Sequence, residues 1–300
     1  MKALGAVIPV LVLILAYWYN SPRTVSHSEY SAHIKGKVVL LCGTGVGIGD
    51  DSWGIGEQVV YELAKKGARL MLVSKTELKY QTLKRMAIIH DIKAPAILQV
   101  EKLMIARTES KLTRIKERAL AMGAPQVEVM IQDMANMSAV HDVIDTTISS
   151  LGGIDYLILN HEDIARGGLV RHKLETIQHS FSVNVISYVE LVKLALPHVQ
   201  HVYMTSSILG SVTSSSLPIY SATKHALDSL FRGQDKITVG EIGEVLTADR
   251  EPLFNIPNLL RGDLVQCATE IMNTLITKPK VLQYPRMHCY LARMFSVLHF

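Results

Sequence analysis

From Lys37 onward, short apolar runs alternate with longer polar stretches that carry apolar residues at helical spacing. Residues 37–42 (KVVLLC) read as a strand buried on both faces. Residues 56–66 place Val59, Val60, Leu63 and Ala64 on one helical face, and Gly67 supplies a stop. Further buried-strand candidates are 69–73, 127–131, 156–159, 202–205 and 237–242, with helical patterns between most of them. This alternation predicts an α/β fold with a doubly wound parallel sheet, whose ligands bind where strands end and helices begin.

Residues 4–19 (LGAVIPVLVLILAYWY) break that pattern, carrying no charge between Lys2 and the aromatic group Tyr17, Trp18 and Tyr19. The stretch is shorter than the roughly 20 residues that cross a bilayer, yet the aromatics suit an interfacial belt and no A-x-A site follows. An uncleaved, single-pass signal-anchor helix is expected, with a cleaved leader and a buried helix as the alternatives. The chain then divides into an anchor (1–20), a linker (21–34), a dinucleotide-binding domain (35–250) and a substrate- and membrane-proximal segment (251–300). Asn136-Met137-Ser138 has the N-glycosylation pattern and gives slight support to a lumenal catalytic domain.

Composition narrows the classes. A chain that is 48% hydrophobic and 19% charged is a folded protein, not a disordered one. Lys and Arg number 31 against 27 Asp and Glu, and the resulting +4 is too small and too dispersed for a nucleic-acid partner. Cys42, Cys267 and Cys289 lie far apart without a CxxC, and the histidines do not cluster at ligand spacing. No metal site is expected, while one disulfide stays open.

The first strand runs into a glycine-rich stretch, 43–56 (GTGVGIGDDSWGIG). Glycine lets the backbone approach a pyrophosphate at a helix N-terminus, where free N–H groups favour an anion. Gly43, Ser52, Trp53, Gly54, Ile55 and Gly56 are read as the phosphate cradle, and residues 44–50 largely as an insertion. A repeat follows: KTELK at 75–79 returns as RTESK at 107–111, each behind an apolar run, so the second strand and its helix occur twice. Lys75 or Arg107 would meet an adenosine 2′-phosphate, and no acidic residue stands ready for a ribose 2′-hydroxyl, which favours NADP over NAD.

Tyr-x-x-x-Lys occurs at Tyr61/Lys65, Tyr80/Lys84 and Tyr220/Lys224. The i,i+4 spacing puts both groups on one helical face, where an ammonium favours the phenolate and makes the phenol a better acid. Tyr220 alone has company, with Ser207 just beyond the strand at 202–205 and Asn184 in the preceding helix. The glycine turn ending Gly54-Ile55-Gly56, Asp133, Asn160, Asn184, Ser207 and Tyr220-Ser221-Ala222-Thr223-Lys224 together resemble the short-chain dehydrogenase/reductase family, over residues 35–247.

That resemblance implies a Rossmann-like single domain and an NADP-dependent oxidoreductase interconverting a lipophilic alcohol and ketone, in the manner of a hydroxysteroid dehydrogenase. It implies that Tyr220 is the general acid/base, that Lys224 lowers its pKa and holds the nicotinamide ribose, that Ser207 binds the substrate oxygen, and that Asn184 holds a relay water. Gly43 and residues 52–56 would cradle the phosphates. Asp133 and Met134 would contact adenine, Asn160 and His161 the ribose region, and Val245 and Thr247 the carboxamide side. An endoplasmic reticulum membrane location with a lumenal domain follows from the same likeness, and a homodimer through the helix after Lys224 is compatible with it.

Several features depart from the family pattern. The glycine turn is extended, the second strand-helix unit is repeated, the helix after Lys224 reaches Gly233 early, and Ile242-Gly243 stands where Pro-Gly is usual. They motivate a second reading, a catalytically impaired relative acting as a membrane-attached interaction protein. Residues 281–300 are read as closing the core, with a lipid-facing substrate entrance as the alternative.

Overall fold

A computed structural model describes residues 24–44, 54–74, 109–245 and 257–298. The expected anchor at 4–19, Ser52 and Trp53 of the cradle, Lys75, Arg107, the repeat that contains them, the Tyr80/Lys84 pair and Thr247 lie outside the described residues.

The chain enters through helix α1 (His27–His33), which falls inside the stretch read as a linker. Its start is a capping box: Ser26 Oγ accepts from Glu29 N, and the Glu29 carboxylate accepts from Ser26 N at 2.7 Å. Strand β1 (Val38–Cys42) leads to helix α2 (Ile55–Lys65), strand β2 (Arg69–Ser74), a helix α3 over 109–121 and strand β3 (Val127–Ile131). Helix α4 (Met137–Leu151) is capped by Asn136 at its start and by left-handed Gly152 at its end. Strand β4 (Tyr156–Leu159) is followed by helices α5 (Leu174–Phe181) and α6 (Ser187–Ala195), joined by a π-helical turn, Ser182–Ile186. Then come strand β5 (His201–Ser207), helix α7 (Pro218–Phe231), strand β6 (Ile237–Ile242), helix α8 (Leu264–Thr277), strand β7 (Val281–Tyr284) and helix α9 (Arg286–Leu298).

The seven strands among the described residues are all parallel, in the order β3-β2-β1-β4-β5-β6-β7. The order reverses between β1 and β4, so the crevice beyond their C-terminal ends is where a doubly wound sheet takes its ligand. Alternate residues of each strand face opposite layers. Val39, Leu41, Leu70, Leu72, Ile158 and Tyr203 pack with α2 and α8, whereas Leu40, Cys42, Met71, Leu157, Leu159 and Met204 pack with α4, α6 and α7. Burial on both faces explains why β1, β2 and β4 read as apolar runs rather than alternating ones.

Residues past 250 belong to the same sheet. β7 pairs with β6 from Val239↔Val281 to Ile242↔Tyr284. α9 buries Cys289 and His288, and His288 Nδ1 accepts from Glu244 N at 3.1 Å, so the C-terminal segment closes the core. Buried Glu241 on β6 fastens this corner, since its carboxylate meets Arg232 just past α7, Arg293 of α9 and Gln283 of β7. All three cysteines are free and buried, which excludes the disulfide that sequence left open.

Candidate active site

The glycines at the exit of β1 are required by close approach. A Cβ on Gly43, which has φ +92°, would strike the backbone of Asn160 and His161, and one on Gly56 would strike the Gly43 carbonyl oxygen. Gly54 is the N-cap of α2, with Ile55 as its first residue, and the first N–H groups of a helix have no partner within it. Beside them the Thr44 hydroxyl is fully buried with no hydrogen-bond partner among the described residues. A buried donor costs free energy until something accepts from it, and a cofactor phosphate oxygen would do so. The described part of the cradle therefore fits a dinucleotide.

Asn160 ties this turn to the neighbouring strand ends. Its Nδ2 donates to Gly43 O at 2.9 Å, and its Oδ1 accepts from Thr205 Oγ1, at the end of β5, at 2.8 Å. Thr205 O in turn accepts from Lys224 Nζ at 2.9 Å. One chain of contacts thus runs from the glycine turn to the lysine of α7.

α7 comes close enough because Gly210, in the turn after Ser207, has no side chain. A Cβ there would lie 2.9 Å from Lys224 O. Tyr220 and Lys224 share the inner face of α7, with Lys224 Nζ 5.3 Å from the Tyr220 ring centroid. Lys224 is fully buried, and its charge is met by Thr205 O and by Glu162, whose Oε2 lies 3.5 Å away. The Tyr220 hydroxyl donates to Glu162 Oε2 at 2.8 Å, and Ser207 Oγ accepts from Leu209 N at 3.2 Å, capping its own turn. Ser207 nevertheless stands at the end of β5, on the strand that supplies Thr205 to Lys224.

Asn184 sits in the π-helical turn rather than in a regular helix. Its Oδ1 accepts from Asp163 N at 2.7 Å, and its Nδ2 donates to Asp163 O at 2.8 Å and to Thr223 Oγ1 at 3.0 Å. Both amide protons are committed to protein, so in this arrangement the side chain clamps the loop after β4 instead of donating to a relay water. His161, next to Glu162, is held by Ser187: that hydroxyl gives its proton to Val183 O at 2.6 Å, so at 2.8 Å the imidazole Nε2 is the donor to Ser187 Oγ. Burial, and then the Lys224 ammonium, push His161 down to about 3, and the ring is neutral.

Three predicted contacts have other work. Asp133 Oδ1 accepts from Ala135 N at 2.9 Å within its own turn. The Met134 side chain is buried in the core with Val140 and Val143. Val245 bridges Gly262, and its side chain is part of the core with Ile242 and Tyr284. Tyr61 is buried in the core and donates to Glu57 at 2.5 Å, while Lys65 pairs with Glu62, so the two side chains of this Tyr-x-x-x-Lys are engaged separately within their own helix.

Sequence reading missed Glu162. Its signal was available: a carboxylate three residues past the end of β4, in the segment that must line the crevice. What hid its role is that Tyr220 and Lys224, which it meets, lie on α7, distant in the chain.

Comparison with known proteins agrees with this geometry. Residues 92–237 match the family model described as short chain dehydrogenase. Hydroxysteroid 11-beta-dehydrogenase 1-like protein A of Xenopus laevis is 25% identical over 295 residues, covering 93% of this chain and 88% of that protein. The Gallus gallus protein of the same description, without the letter, is 30% identical over 238 residues, covering 77% of this chain and 66% of its own. Among solved structures, a short chain dehydrogenase from Burkholderia cenocepacia in complex with NADP superposes with TM-score 0.64 at 17% identity, over 84% of this chain and 97% of that one. A blue fluorescent protein from a metagenomic library in complex with NADPH gives 0.65 at 17%, over 85% and 99%. Among the described residues no helix is long and apolar enough to cross a membrane, and no group of three potential ligands could hold a metal ion. The parallel sheet, the glycine turn, the Tyr220/Lys224 face of α7 and these likenesses together place the chain in the short-chain dehydrogenase/reductase family.

Proposed function

We propose that the protein is an NADP-dependent oxidoreductase that interconverts a lipophilic alcohol and its ketone, of the hydroxysteroid kind. The observation that carries this reading is the Tyr220/Lys224 pair, linked through Thr205 and Asn160 to the glycine turn at the topological switch point. A nicotinamide cofactor, when bound, supplies or accepts the hydride. The chain's own residues do the rest. Tyr220 gives its proton to the carbonyl oxygen in reduction and takes one back in oxidation, and Lys224 favours the phenolate that forms. Ser207 would orient the substrate oxygen, and Gly43, Gly54, Ile55 and Gly56 would hold phosphates at the start of α2.

The preference for NADP is supported by Lys75 and Arg107 in the sequence and by the NADP and NADPH named for two of the solved relatives, although NAD is named for a third. The steroid class rests on the names of the vertebrate relatives. Residues 4–19 support attachment to the endoplasmic reticulum membrane, which retention in the pellet after alkaline carbonate extraction would test. Titration of the full chain with NADPH and NADH tests the cofactor: saturable binding with NADPH the tighter is expected, and no binding of either contradicts the proposal.

A second reading, a catalytically impaired relative acting as a membrane-attached interaction protein, is favoured by one observation: the Tyr220 hydroxyl is directed at Glu162. Cofactor binding without turnover on any lipophilic ketone would favour it.

A further inference from the structure

A single carboxylate meets both groups that the nicotinamide end of a cofactor and the substrate oxygen need. Glu162 Oε2 accepts from the Tyr220 hydroxyl at 2.8 Å and lies 3.5 Å from Lys224 Nζ. It is held in place by the loop around it. Asn184 grips the N–H and the C=O of Asp163 and reaches Thr223 on α7, and Ser180 Oγ donates to the Asp163 carboxylate. The residue that clamps the loop therefore also fixes it against the helix that carries the partners of Glu162.

The two charges differ in their freedom to leave. The Lys224 side chain is 1% exposed and that of Glu162 is 20% exposed, so the carboxylate has a route to solvent and the ammonium has none. A hydrogen bond to an ionised acceptor is about twice as strong as one to a neutral group such as a ribose hydroxyl. Exchanging the first for the second costs binding free energy, unless the carboxylate regains it as hydration.

We propose that Glu162 is a built-in competitor for the nicotinamide end of the cofactor, which must turn out towards solvent before Lys224 and Tyr220 can engage ribose and substrate. This rests on the reading of Tyr220 and Lys224 as the nicotinamide-facing pair. A ligand shifts such an equilibrium only by its differential affinity for the two states, so part of the cofactor's affinity is spent on displacing Glu162. The adenine half, bound across the glycine turn, does not share that cost.

The test uses the full chain, wild type and Glu162→Gln, titrated with NADPH and with adenosine 2′,5′-bisphosphate, which carries the adenine half and no nicotinamide. Glu162→Gln is expected to bind NADPH roughly tenfold more tightly, a typical size for coupling between two groups. It is expected to bind the bisphosphate as the wild type does, and to show a larger rise in melting temperature on adding NADPH. Glu162→Asp, which keeps the charge on a shorter arm, should fall between the two, and Glu162→Ala replaces the amide variant if that folds poorly. Equal tightening of both ligands would report a general loss of negative charge and overturn the proposal, as would an unchanged or weaker NADPH constant. A wild type and variants that are folded and bind no NADPH at all would instead remove the functional reading, and the competitor with it.

Discussion

The Asn160 side-chain amide donates to the Gly43 carbonyl across the gap between β4 and β1, at 2.9 Å. This bond spans the topological switch point, and it forms because neither Gly43 nor Gly56 carries a side chain to push the two strand exits apart. Asn160 is thus a joint between the phosphate turn and the strand end that leads to Tyr220.

Gly56→Ala tests that joint. Its Cβ would collide with Gly43 O and lie 2.9 Å from Asn160 Nδ2, both part of a packed backbone junction. A loss of about 1–3 kcal/mol in stability, the usual cost of overpacking, is expected by urea titration, together with weakened NADPH binding. Wild-type values for both would show that the turn is looser than described.

Asn184→Ala leaves Asp163 N and O without their partners while the rest of the π-helical turn remains. The expected cost is about 2–3 kcal/mol, from two or more hydrogen bonds at roughly 1 kcal/mol each plus the desolvated groups left behind. Urea denaturation measures it. If Asn184 held only a relay water, stability would hardly change.

His161 ties stability to pH. Its folded value of about 3 lies below the ordinary 6.5, so between these two values the unfolded chain binds a proton that the folded chain refuses. The contribution is fully present above 6.5 and is lost as pH falls towards 3. Each unit of pH in that window weakens the fold by at most about 1.4 kcal/mol for this one group. Denaturant midpoints between pH 7 and 4 should fall less steeply for His161→Gln than for wild type. Identical slopes would exclude the buried neutral imidazole.

Much of this arrangement was legible in the residues. β1, β2 and β4 are buried on both faces and announce themselves as apolar runs that no helix period explains, and β5 and β6, equally buried, keep short apolar runs interrupted by polar residues such as Thr205 and Glu241. β7 was not read as a strand, because it is four residues long at the sheet edge and its burial alternates (VLQY). α1 escaped notice because seven residues with one buried side chain, Tyr30, give no periodicity to detect. The spacing of Tyr220 and Lys224 located the inner face of α7, since an i,i+4 pair must share it. The partners could not be read that way. Spacing says where a side chain points along its own helix, whereas the bond from the Tyr220 hydroxyl to Glu162 depends on how Asn184 sets a loop from another strand.

The most direct measurement is NADPH oxidation by wild type and Tyr220→Phe against a panel of lipophilic cyclic ketones, with NADPH binding followed in parallel. If Tyr220 is the proton donor, the phenylalanine variant keeps its cofactor affinity to within a few-fold and loses turnover by about 10²–10⁴-fold, the usual worth of a positioned general acid. A Tyr220→Phe enzyme that reduces the same ketone at the wild-type rate would contradict the account.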